Sequence, residues 1–233
     1  MKKNVFGQDS TELGFDDDKP KFELIIDKAQ KPSDVLLISF VGAAGAFAAV
    51  PIPEFRKTLL PLGFNLGFAI DKTATWYNDE KAYEGLSAEL TKIQETLKPK
   101  ITIYLGNSMG GYGAILYSKT HKPDLVITFG TQIAINKFDK RWDQFWNLLY
   151  TSSKTNKRMS VVDCFRDDVA YHLIVGDGEK EDVLHHELIP KKPNITQVVH
   201  AGKRHNIALT LKREGKLYDT IKQITKGFLK DNE

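Results

Sequence analysis

At 233 residues, with 41% hydrophobic and 27% charged side chains, the chain is long enough for one large domain with a substantial core and too short for two full-sized catalytic domains. Thirty-three Lys and Arg against thirty Asp and Glu leave a formal charge of +3, and the basic residues are scattered, so nucleic-acid binding has no electrostatic support. Cys164 is the only cysteine, which excludes an intrachain disulfide and a Cys-rich metal site and leaves a small buried or half-buried thiol as the expectation.

Residues 1–20 read as a polar N-terminal segment. Met1-Lys2-Lys3 is basic, but Asn4, Gln8, Asp9 and Ser10 follow where a secretory signal needs a continuous apolar stretch, so a cytoplasmic location is expected. From residue 21 to 233 a single α/β domain is expected, because apolar runs of strand length alternate with helical stretches, the pattern of a mostly parallel sheet with helices on both faces. Predicted strands are Phe22 to Asp27, Val35 to Val41, Asn65 to Ile70, Ile101 to Leu105, Leu125 to Phe129, His172 to Val175 and Ile195 to His200. The first is expected to lie antiparallel to the second, joined to it by the Lys31-Pro32-Ser33-Asp34 turn. Predicted helices are Pro53 to Leu62, Asn78 to Leu97, Met109 to Lys119 and Asn206 to Leu229. The apolar runs Val35 to Val41 and Ala43 to Ile52 are short or broken by Gly and Pro, so no membrane span is expected. Residues 132–170 exceed what a crossover needs. Their stripe of Phe138, Trp142, Phe145, Trp146 and Leu149 suits either a helix packed on the sheet or a small cap over a site.

The strand ending at Leu105 runs into Gly106-Asn107-Ser108-Met109-Gly110, and a helical pattern starts at once. This is G-x-S-x-G between a strand and a helix, where a sharp turn presents a serine hydroxyl above the sheet and glycines two residues either side avoid collisions. A serine hydroxyl needs a base to take its proton. His205, in the loop after the last strand, is the candidate; His200 ends the strand itself, His121 and His172 read as structural or surface, and adjacent His185 and His186 point apart. An acid should follow the preceding strand. Asp177 is closest to the strand end and is the first candidate, Glu179 keeps a common glycine-to-acid spacing, and Asp182 could instead cap a helix starting at Val183. The small residues of Phe40-Val41-Gly42-Ala43-Ala44-Gly45-Ala46 let backbone approach a ligand, so the Ala43 and Met109 N–H groups are the candidate oxyanion donors.

Over nearly everything after Pro20 the chain resembles the α/β-hydrolase superfamily. The run Gly106 to Ala114 resembles the nucleophile turn of bacterial esterase-like members, and Asp71 with Trp76-Tyr77 is similar to that group too. A His-Gly pair common there is missing at Phe40-Val41-Gly42. The resemblance implies an α/β-hydrolase fold and a serine hydrolase acting on an ester or thioester of a small-molecule or acylated substrate, with a Ser108, Asp177 and His205 triad and no cofactor. An acyltransferase using the same acyl-enzyme and a non-catalytic binding protein of the same fold are the alternatives.

Overall fold

The computed structural model describes residues 21–43, 53–72, 75–135, 158 and 160–232. Seven strands form one sheet: β1 Phe22–Asp27, β2 Val35–Phe40, β3 Asn65–Asp71, β4 Ile101–Asn107, β5 Leu125–Phe129, β6 Ala170–Gly176 and β7 Ile195–His200. Their spatial order is β1-β3-β2-β4-β5-β6-β7. Every neighbouring pair is parallel except β1 with β3. The first strand is thus antiparallel as expected, but its partner is β3 and not β2. Composition explains the difference. All six residues of β2 are buried, which suits a position between β3 and β4, whereas β1 carries Glu23 and Asp27, is half-buried throughout and suits an edge.

The described helices are α1 Arg56–Leu59, α2 Glu80–Leu97, α3 Met109–His121, α4 Lys180–Glu187, α5 Ile207–Arg213 and α6 Leu217–Asp231. The Asp79 carboxylate caps α2 by accepting from Ala82 N–H at 3.1 Å. The helix predicted over Pro53 to Leu62 shrinks to one α-turn and a 3₁₀ turn, because Phe55 has φ 65° before it and Gly63 has φ 75° after it. The run predicted over Asn206 to Leu229 is two helices, α5 and α6, parted at Gly215, whose φ of 71° no right-handed helix accepts. The α4 helix starts at Lys180, ahead of Val183, so Asp182 lies inside its first turn and is not its cap.

Alternate residues of the sheet feed two cores. Leu36, Ile38 and Phe40 meet Leu86, Leu90, Tyr112 and Ile115 of α2 and α3 on one face. Leu37, Ile103, Leu105 and Phe129 meet Leu59 and the α5 and α6 residues Ile207, Leu211 and Ile221 on the other. At either end of the long 132–170 stretch, Ile133, Val161, Cys164 and Phe165 join the first core, and Cys164 is a buried free thiol whose pKa burial raises. The aromatic stripe expected to pack or cap, and the polar segment 1–20, lie outside the described residues. Among the described residues no helix is long and apolar enough to cross a membrane.

Candidate active site

The β4 strand stops at Asn107 and α3 starts at Met109, so Ser108 alone makes the turn. Its backbone sits at φ 53° and ψ −119°, a combination that strains any residue with a Cβ, and its N–H donates to Phe129 O at 2.9 Å. The flanking glycines are required sterically. A Cβ on Gly106 would lie 2.2 Å from Gly110 O, and one on Gly110 would lie 2.0 Å from Phe40 O. Both contacts are with backbone, which has nowhere to yield.

His205 reaches Ser108 from the loop between β7 and α5. Ser108 Oγ lies 2.8 Å from His205 Nε2, and His205 Nδ1 lies 2.8 Å from Asp182 Oδ1. With its proton on Nδ1, the ring donates to Asp182 and accepts from the serine hydroxyl through Nε2. His205 and Asp182 are both buried, and the second carboxylate oxygen, Oδ2, has no partner among the described residues, so His205 is its compensating group.

The carboxylate at His205 is therefore Asp182 and not Asp177, the first candidate from sequence. Asp177 is exposed and accepts from Gly202 N–H at 2.5 Å. The turn after β6 packs tightly on the 202–204 loop: a Cβ on Gly176 would lie 2.1 Å from Lys203 O. Asp177 is thereby committed to the loop backbone, and only a side chain from the first turn of α4 reaches the His205 ring. Glu179 bonds the Arg204 guanidinium at 2.9 Å, with a long 3.5 Å contact from His205 N–H. His200 ends β7 opposite Gly176 in the sheet register. His185 is buried in another role, its Nδ1 accepting from Ile133 N–H at 3.2 Å and Ala134 N–H at 3.4 Å. Burial pushes the His185 and His186 pKa values down to about 4, so both rings are neutral near pH 7. Among the described residues no cluster of His, Cys, Asp and Glu could hold a metal ion.

Ser108 and His205 open into a cleft of about 610 Å³ that Gly42, Ala43, Glu54 and Asn107 also line, with Lys203, Arg204 and Arg213 on its wall. Met109 is buried at the first position of α3, where a helix N–H has no intrahelical acceptor. The loop carrying Ala43 is braced from behind. Tyr77 Oη lies 2.8 Å from Val41 O and 2.7 Å from Ala69 O, Asp71 accepts from the Thr75 and Tyr77 N–H groups at 2.8 Å each, and Trp76 Nε1 donates to Gln132 at 2.7 Å. The sequence singles out Asp71, Trp76 and Tyr77 but not this bracing, and it places Glu54 only inside the helix predicted over Pro53 to Leu62. Glu54 instead sits in the turn before α1, with no motif to mark it.

The fold of the chain matches those of known structures. The capsule O-acetyltransferase of Neisseria meningitidis serogroup A superposes with a TM-score of 0.56 at 15% identity, over 85% of this chain and 91% of that one. Est1E from Butyrivibrio proteoclasticus, solved with ferulic acid, gives 0.55 at 14% identity over 88% and 96%. A carboxylesterase of the thaumarchaeon Nitrososphaera gargenis gives 0.57 at 15% identity over 90% and 96%. The chain has the α/β-hydrolase fold. No protein-family model and no curated protein sequence matches it.

Proposed function

We propose that the chain is a serine hydrolase that cleaves an ester or thioester through an acyl-enzyme on Ser108. The observation that carries this reading is the unbroken line of hydrogen bonds from the strained Ser108 through His205 to Asp182. In this mechanism Ser108 Oγ attacks the acyl carbonyl while His205 Nε2 takes its proton, and the carbonyl oxygen gathers negative charge facing the Met109 and Ala43 N–H groups. Protonated His205 then hands the proton to the leaving alcohol or thiol. Water repeats the sequence on the acyl-serine and frees the acid. Asp182 holds the Nδ1 proton and balances the imidazolium, the role first assigned to Asp177. Proton and electron pairs balance without a cofactor.

Acyl transfer to an alcohol or amine is the second reading, favoured by the structural likeness to the capsule O-acetyltransferase, a mutant of which is also known in complex with CoA. The two readings part when the acyl-enzyme is formed from an activated ester and offered a polyol or amine: a transferase yields the acylated acceptor, a hydrolase the free acid.

A fluorophosphonate probe tests both against a non-catalytic binding protein of this fold, because only a base-activated serine reacts readily with it. Native protein should be labelled at Ser108, and Ser108→Ala should abolish labelling. An unlabelled, well-folded native protein would reject the enzymatic reading.

A further inference from the structure

Glu54 shares the cleft with Ser108 and His205, yet no step above uses it. Its Oε2 accepts from Gly42 N–H at 2.7 Å, and its Oε1 accepts from Asn107 Nδ2 at 3.3 Å. Gly42 immediately precedes Ala43, and Asn107 immediately precedes Ser108 and Met109. One carboxyl group thus ties together the two backbone segments whose N–H groups are the candidate oxyanion donors. The tie is itself anchored, since Glu54 O accepts from Ser39 Oγ of β2 at 3.2 Å.

We propose that Glu54 is a positioning residue of the oxyanion pocket, its carboxyl bridging Gly42 and Asn107 so that the Ala43 and Met109 N–H groups form one receptor for the carbonyl oxygen. This rests on the acyl-transfer reading of Ser108. Separate donors on two loops stabilise a transition state only if their spacing is fixed beforehand, because donors that must reorganise during the reaction lose most of their value. Charge bears on the form in which Glu54 works. An ionised carboxylate beside that receptor would repel the oxygen it is meant to hold. Burial raises the Glu54 pKa, outweighing the Gly42 and Asn107 bonds and the charge of Lys212, a shift that acts against such repulsion. Asn107 Oδ1 is buried with no partner among the described residues.

The test compares Glu54→Gln and Glu54→Ala, using p-nitrophenyl acetate turnover and the rate constant of fluorophosphonate labelling, with thermal melting to monitor the fold. Glu54→Ala should lower kcat and the labelling rate about 10- to 100-fold with KM within about twofold, because it loosens an interaction made only in the transition state. Glu54→Gln should stay within about threefold of native, since its amide keeps the length and shape of the side chain and can still bridge Gly42 N–H and the Asn107 amide. A folded Glu54→Ala that labels at the native rate overturns the proposal. So does a rise in KM alone, which would make Glu54 a substrate contact, or a Glu54→Gln that falls to the expected Glu54→Ala level. If Glu54→Ala does not fold, Glu54→Asp replaces it, because withdrawing the carboxyl by one methylene breaks the bridge; native rates in that variant would also overturn the proposal. Native protein that neither labels nor turns over would instead reject the reading of Ser108.

Discussion

Asp182 and Asp177 differ in what each carboxylate compensates. Asp182 is buried, with one oxygen on His205 and the other without a partner among the described residues, whereas Asp177 is exposed and holds a loop N–H. An acid that fixes the histidine tautomer and balances the imidazolium is worth about four orders of magnitude in turnover in serine hydrolases. Asp182→Asn should therefore lower kcat on an activated ester by about 10⁴-fold while the protein still melts cooperatively. Asp177→Asn should leave turnover within a few-fold and lower the melting midpoint slightly, because it weakens a single exposed hydrogen bond. Swapped outcomes would return the acid's role to Asp177.

At the scale of elements, the α4 helix links the site to stability through its histidines. His185 is held neutral, its pKa pushed down from the ordinary 6.5 to about 4 chiefly by burial, and its ring accepts two backbone N–H bonds from the segment after β5. As pH falls below 6.5 the unfolded chain takes up a proton that the folded chain refuses until about pH 4, so stability is fully present above that window and is lost across it. The loss should amount to about 1–3 kcal/mol for His185. Chemical denaturation at pH 7 and pH 4.5 should show a smaller difference for His185→Gln than for native protein, with His186, His121 and His172, whose pKa values burial also lowers, among the groups supplying the remainder; an unchanged difference would mean that His185 titrates normally in the fold. Glycines give a second contrast. Gly110→Ala drives a Cβ into Phe40 O and should unfold the elbow or cost several kcal/mol, whereas Gly227→Ala, at an exposed position of α6 with no atom beyond its own helix within 4 Å, should raise stability by about 0.5–1 kcal/mol in the same denaturation assay.

Elements of this kind were legible in the sequence to the extent that local chemistry fixes them. Leu125–Phe129 and Ile195–His200 carry their strand bounds in their own β-branched and aliphatic composition, and the elbow is written in two glycines and a serine. What escaped depends on contacts distant in the chain. The choice of Asp182 follows from how the turn after β6 packs on residues 202–204, and the place of Glu54 follows from a bridge to Gly42 and Asn107. Neither leaves a periodicity to read. The edge position of β1 was readable in principle from Glu23 and Asp27, but short connection length suggested a hairpin and sheet order overruled it.

At the scale of the whole molecule, the groups of the candidate site are contributed by the turn after β4, by α4 and by the loop after β7, so the site is dispersed along the chain and converges only across the sheet. Parallel pairing closes long loops before it gains contacts, which makes such topologies slow to form. Synthesis adds direction: the serine turn and its strand exist long before His205. On the acyl-enzyme reading, probe reactivity is consequently a clock for the end of folding. During refolding, the far-ultraviolet signal should recover first and fluorophosphonate reactivity later, with the rate at which β7 and the loop carrying His205 dock onto β6. Simultaneous recovery would mean that this C-terminal docking belongs to the rate-limiting nucleus. On the acyl-enzyme reading, Ser108 should in either case stay unreactive toward the probe in partly folded chains until β7 is in place.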